Sequence, residues 1–170
     1  MVMNIVLCGM MGVGKSSIAD RIAQLTGRGW IDTDVVISTC RGSISKIFEM
    51  YGEVYFRSLE TELVKELSEE DGLVISTGGG LVLNPENVEL LKKKGKIFFL
   101  RASLKTLLTR VRADEMRPLL KDTDKTAEKL SELLRVRSPV YEKVADYMID
   151  TDDMSIDETA AKIIDLAKKR

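Results

Sequence analysis

The sequence predicts a three-layer α/β domain built on a parallel sheet. Short β-branched runs alternate with amphipathic stretches along the whole chain. Strands separated by helices in this way pair in parallel through right-handed crossovers. The first run leads into GMMGVGKSS (residues 9–17), which fits the phosphate-loop pattern G-x-x-x-x-G-K-[ST] between a strand and a helix. At 170 residues, with 44% apolar and 31% charged content, the chain suits one domain, residues 1–170, around a single core.

The elements follow in order. NIVLC (4–8) reads as the first strand, and a helix runs from about 15 to 25. GWID (29–32) is a short second strand. Helical patterning continues through SKIFEMYG and EVYFRSLETELVKELSEE to the turn signal Asp71-Gly72. LVIS (73–76) is the third strand, a short run with Val and Ile at its centre. Asn84 caps the next helix with Pro85 at its first position, and Lys94-Gly95 closes it. KIFFL (96–100) is the fourth strand, Ser103 opens a helix, and YMID (147–150) is the fifth strand. Ser155 and Glu158 have capping-box spacing at the start of the last helix. Residues 113–129 break the rhythm: they are highly charged, carry Pro118, and read as a solvated loop or a lid.

Composition excludes several chemistries. The chain has no histidine, which rules out Ser-His-Asp, Cys-His and histidine-metal arrangements and leaves proton handling to carboxylates, lysines or water. Net charge is −1, so no global attraction to nucleic acid or anionic membrane is expected. Cys8 and Cys40 form no C-x-x-C pair; Cys8 reads as a small core residue, in keeping with a reducing cytosol. No run reaches membrane-spanning length, and the first apolar run is too short for a signal peptide. The expected partners are small molecules.

In the phosphate loop, Gly9, Gly12 and Gly14 let backbone N–H groups turn inward around phosphate oxygens. Lys15 would reach the β- and γ-phosphates, and the Ser16 hydroxyl would bind Mg²⁺. Gly12, Val13, Gly14, Lys15, Ser16 and Ser17 are the expected nucleotide-binding residues. No N-K-x-D stretch for reading guanine occurs, which favours ATP.

A loop of this kind usually works with an acid at the end of a neighbouring strand. The third strand instead ends in STGGG (76–80). IDTD (31–34) supplies the acid from the second strand: Asp32 can approach the metal through water, and Asp34 lies beyond it. Asp34 either faces an acceptor or caps the following helix. Arg57 lies at the border of an amphipathic face, or simply pairs with Glu60 at i,i+3. Arg137 precedes Pro139, where the chain should bend away from helix, and is otherwise a solvated charge. Arginine suits a carboxylate through two parallel hydrogen bonds. An acid for hydroxyls and arginines for a carboxylate together describe a hydroxylated carboxylic acid.

GMMGVGKSS, IDTD, FEMYGEVYFRSLE, STGGG, RPLL, RVRSPVYEKVAD and IDTDD occur in the order and spacing of the shikimate kinases, so the chain resembles that family along nearly its whole length. The resemblance implies the nucleoside-monophosphate-kinase-like P-loop fold, with a five-stranded parallel sheet of order 2-3-1-4-5. It implies transfer of the ATP γ-phosphate to the 3-hydroxyl of shikimate, a step of aromatic amino-acid biosynthesis, with Mg²⁺. By the same motifs Asp34 holds ring hydroxyls, Arg57 and Arg137 hold the carboxylate, and Gly78, Gly79 and Gly80 line the shikimate pocket. The shikimate-binding region falls at about 32–60 and the lid at about 113–124, with Arg117 on the transferring phosphate. Arg110 resembles the arginine that packs on adenine, and residues 150–154, ending in Met154, resemble the adenine-contacting loop. Trp30 departs from the smaller residue expected there and reads as core variation. The resemblance favours a monomer, and the absence of a transit peptide or fusion partner suits a bacterial cytoplasmic enzyme. Rival readings are a gluconate or nucleoside monophosphate kinase on the same fold, or a nucleotide-binding module without turnover.

Overall fold

A computed structural model of the chain describes residues 2–113 and 123–169. The five strands are β1 (Asn4–Cys8), β2 (Trp30–Asp32), β3 (Val74–Ser76), β4 (Gly95–Arg101) and β5 (Tyr147–Asp150). They form one parallel sheet in the order β2-β3-β1-β4-β5. The helices are α1 (Lys15–Thr26), α2 (Thr33–Arg41), α3 (Ile44–Leu67), α4 (Pro85–Lys92), α5 (Leu104–Ala113), α6 (Thr123–Val144) and α7 (Ile156–Lys168), with a 3₁₀ turn over Leu81–Leu83. β1 at the centre is buried along its full length, as apolar runs covered on both faces must be. The reversal of strand order on either side of β1 opens a crevice at the carboxyl ends of the strands, where open α/β sheets bind ligands.

Two cores hold the layers. The larger packs both faces of the sheet, with Leu7, Ile22, Ile75, Phe98 and Ile163 fully buried. A smaller one joins Ile37, Ile47, Phe56 and Leu59 between α2 and α3. Gly52 (φ 80°, ψ 174°) interrupts α3 with a non-helical residue, so two helical pieces meet at a kink there.

The capping expectations for Asn84 and for Ser155 with Glu158 are met. Others are corrected. Gly95 does not close a helix: α4 ends at Lys92, and Gly95 opens β4, where a Cβ would lie 2.9 Å from the Leu91 carbonyl oxygen. Trp30 is not core, because β2 is an edge strand and leaves the indole 36% exposed. Pro139 does not end the helix before it, and α6 continues through it to Val144. A proline inside a helix costs about 3 kcal/mol. Tyr141 and Leu130 on the same helix are buried to 0% and 2% exposure, each contributing roughly 1.5–3 kcal/mol, so packing outweighs the local penalty. Cys8 and Cys40 are free thiols; Cys8 lies in the core, and burial pushes it up to about 12.

Candidate active site

The phosphate loop joins β1 to α1 with Gly9, Gly12 and Gly14 at φ 141°, 80° and 99°, the conformation that only glycine takes without strain. Space at Gly12 is closed as well, since a Cβ would lie 2.7 Å from Val111 Cγ2. Lys15 Nζ donates to the carbonyls of Gly9 (2.8 Å) and Met10 (3.0 Å), which holds the ammonium over the loop. Arg110, from α5, donates to the carbonyls of Val13 (3.1 Å) and Thr151 (3.3 Å), tying the loop to the segment after β5.

The acid missing from β3 comes from β2. Asp32 Oδ2 accepts from Ser16 Oγ at 2.5 Å and from Ser76 Oγ, at the tip of β3, at 3.0 Å. Its other oxygen accepts from the backbone N–H of Asp34 (3.0 Å) and of Val35 (3.3 Å). Asp32 is therefore the cap of α2, and the expectation that Asp34 might fill that role is corrected. With the cap supplied two residues earlier, the Asp34 side chain turns to the crevice and borders Gly78.

The triple glycine is not a left-handed turn. Gly80 has φ −99°, and Gly78 and Gly79 also avoid positive φ. What they need is room. A Cβ on Gly78 would collide with the Asp34 carboxylate, one on Gly79 would lie 3.0 Å from Arg137 Nη1, and one on Gly80 would collide with the Arg57 guanidinium. The backbone here is gripped from three sides: Gly78 N–H donates to Thr33 Oγ1 (2.9 Å), the Gly78 and Gly80 carbonyls accept from Leu81 and Leu83, and the Gly79 carbonyl accepts from Tyr141 (2.5 Å).

One cleft of about 700 Å³ brings together Gly12, Val13, Gly14, Lys15, Ser16, Ser17, Asp32, Asp34, Gly79, Arg110, Arg137 and Met154. Arg57 does not line it. Its guanidinium lies beside Gly80 but bonds Glu60 (2.7 Å) and Glu53 (3.1 Å) on its own helix and opens on a neighbouring groove. The i,i+3 pairing of Arg57 with Glu60 is therefore formed. Arg117 lies outside the described residues, as does the segment 114–122 of the expected lid.

Glu60 entered the sequence reading only as a partner for Arg57. It is 1% exposed, and its Oε1 has no hydrogen-bond partner. Burial pushes its carboxyl above the ordinary carboxylate range; Arg57 pulls it down by less, and nearby Asp34 adds to the rise. Thr33, Ser76 and Tyr141 were likewise missed as supports. Tyr141 carried a signal, the i,i+4 spacing from Arg137 that puts both on one face of α6.

Among the described residues no three Asp, Glu or Cys side chains cluster to hold an ion by themselves. The Ser16–Asp32 pair beside Lys15 fits Mg²⁺ nonetheless, since that ion is commonly held by few protein groups together with nucleotide phosphates and water.

A phosphate loop and the Asp34 carboxylate facing one cleft, on a parallel sheet of order 2-3-1-4-5, define a P-loop kinase of small molecules. The shikimate kinase family model matches residues 11–168. The shikimate kinase of Caldicellulosiruptor bescii is 46% identical over 164 residues, 96% of this chain and 94% of that one. The shikimate kinase of Acinetobacter baumannii, solved in complex with shikimate, has a TM-score of 0.88 at 38% identity, covering 97% of this chain and 92% of its own. That of Aquifex aeolicus has a TM-score of 0.81 at 34% identity, over 97% and 95%. The chain belongs to the shikimate kinase family. Its activity is the ATP-dependent phosphorylation of shikimate in aromatic amino-acid biosynthesis. Among the described residues no helix is long and apolar enough to cross a membrane.

Proposed function

We propose that the cleft carries out this transfer with the following division of labour. Residues 12–17 hold the ATP phosphates, with Lys15 on the oxygens that gain charge, and Arg110 and Met154 flank the adenine. Ser16 and Asp32 hold Mg²⁺, which when bound supplies charge neutralisation to the phosphates. Asp34 orients the 3-hydroxyl of shikimate toward the γ-phosphate. Arg137 and Arg57 hold the carboxylate, and Gly78, Gly79 and Gly80 offer backbone against the ring. Arg117 completes the charge around the transferring phosphate. Phosphoryl transfer is mostly alignment plus electrostatic stabilisation, and this set provides both without histidine. The protein acts as a monomer in the cytoplasm.

One observation carries the assignment: Asp34 and Arg137 share a single cleft with the phosphate loop, so acid, cation and phosphate site face one another. ADP release is the test, measured with shikimate, gluconate, nucleoside monophosphates or no acceptor, each with Mg²⁺ and with chelator. Release that requires both shikimate and Mg²⁺ is expected. Equal release without acceptor would overturn the acceptor assignment, and full activity in chelator the metal one. Sedimentation of the purified chain as a 19.0 kDa species checks the monomer.

A further inference from the structure

Tyr141 is a polar side chain with 0% exposure, four residues after Arg137 on α6, and neither substrate assignment uses it. Its ring packs on Phe99 of β4, with centroids 5.1 Å apart. Its hydroxyl donates to the Gly79 carbonyl at 2.5 Å and lies 3.9 Å from Met10 Sδ in the phosphate loop. Burial pushes the phenol up to about 12, so it stays a donor across the working range of pH. The carbonyls on either side, those of Gly78 and Gly80, are taken by the 3₁₀ turn. Gly79 is the residue whose carbonyl is fixed from another element, and it has no side chain to brace it. A trans peptide unit is planar, so fixing the Gly79 oxygen toward the core turns the following N–H, that of Gly80, the opposite way.

We infer that Tyr141 is a positioning residue for the acceptor: its hydroxyl sets the orientation of the Gly79–Gly80 peptide against which shikimate lies. α6 thereby delivers two functions one turn apart, the Arg137 cation and the brace for the glycine backbone beside it. The inference rests on the placement of shikimate against the triple glycine. Glycine-rich backbone is inexpensive to reorient, so a pocket wall made of it needs an external hold to stay preorganised. The same hydroxyl contacts Met10, yet the phosphate loop has its own bonds through Lys15 and Arg110, so nucleotide binding does not depend on the tyrosine.

Tyr141→Phe keeps the ring and removes the hydroxyl. The expected result is a shikimate KM raised at least about fivefold, with kcat within about twofold and ATP affinity unchanged. Phe99→Leu is the control, because it loosens the same ring while keeping the hydroxyl; it should melt lower with a normal shikimate KM. A wild-type KM in Tyr141→Phe, or an equal rise in Phe99→Leu, overturns the inference. A second measurement, needing no loss of the hydroxyl, places 3-fluorotyrosine at 141 alone. Its resonance should move on saturation with shikimate and stay put with nucleotide, and a resonance indifferent to shikimate overturns the inference too. Normal shikimate KM values in both Gly79→Ala and Arg137→Ala would instead remove the pocket assignment itself.

Discussion

The molecule has two glycine-rich loops that look alike in sequence and work for opposite reasons. In the phosphate loop the glycines adopt left-handed backbone so that N–H groups converge on one point. In STGGG the backbone is ordinary, and the glycines are there because three charged side chains from other elements, Asp34, Arg137 and Arg57, press against the places their Cβ atoms would take. The first loop takes its conformation from nine consecutive residues, with Arg110 and Val111 of α5 set against it. The second is defined by α2, α3 and α6, which come together only on folding. A glycine run can therefore mark a backbone conformation or a close approach, and only the φ angles and the neighbours tell which.

The largest effect should come from the phosphate loop. Lys15→Ala removes the ammonium held over it and should lower kcat by at least about a thousandfold while the melting temperature stays near wild type. Steady-state ADP release checks this, and near-normal turnover would move the reaction away from the phosphate loop.

Next come the arginines of the assembled loop. Arg137→Ala should raise the shikimate KM roughly ten- to hundredfold, the equivalent of a charge-assisted bond of about 1.5–3 kcal/mol, with ATP affinity unchanged. Arg57→Ala should raise it as well but also lower the melting temperature, because Glu60 is left buried without its cation. If the two variants were indistinguishable in stability, the Arg57–Glu60 pair would not hold the acceptor side together.

The glycines then sharpen the contrast directly. Gly12→Ala puts a side chain into left-handed backbone and 2.7 Å from Val111, so nucleotide affinity and melting temperature should fall together. Gly79→Ala comes tightly only against the end of a flexible guanidinium, Arg137 Nη1 at 3.0 Å, which can shift, and makes ordinary contact with Tyr141 and Gly9. It should fold and bind ATP normally while the shikimate KM rises about tenfold. A destabilised Gly79→Ala with normal KM would make STGGG a simple turn and erase the distinction.

The smallest effect concerns Glu60. Its carboxyl is held above the 4.5 of an ordinary glutamate, so between that pH and its folded value the native state binds the extra proton. Its contribution to stability is greatest at the acid end of that window and falls as pH rises through it. Glu60→Gln should remove this slope. The melting temperature of the wild type relative to the variant should decline from pH 4.5 toward neutrality, and a flat difference would mean that burial does not control this carboxyl.

Much of the architecture was legible beforehand because its causes are local. Strand order aside, the alternation of apolar runs with amphipathic stretches located the strands, and Asn84 and Ser155 announced their helices through capping chemistry that spans three residues. The phosphate loop was equally plain, since its conformation and its chemistry lie in one segment. The failures share a cause. Pro139 was expected to end a helix, but the burial of Tyr141 and Leu130 overrides it. Trp30 was read as core variation because it departs from the smaller residue expected there without touching the motif residues, whereas its exposure depends on β2 lying at the sheet edge.

The sequence by itself determined the fold class and the phosphate loop, because propensity, capping and motif spacing act over a few residues. Tertiary structure alone decided that Asp32 rather than Asp34 caps α2, that Arg57 turns to Glu53 and Glu60 while Arg137 enters the cleft, and that Tyr141 holds Gly79 from 62 positions away. Those choices depend on which side chains compete for the same space and the same hydrogen bonds once distant segments are packed, and that competition leaves no local trace in the chain.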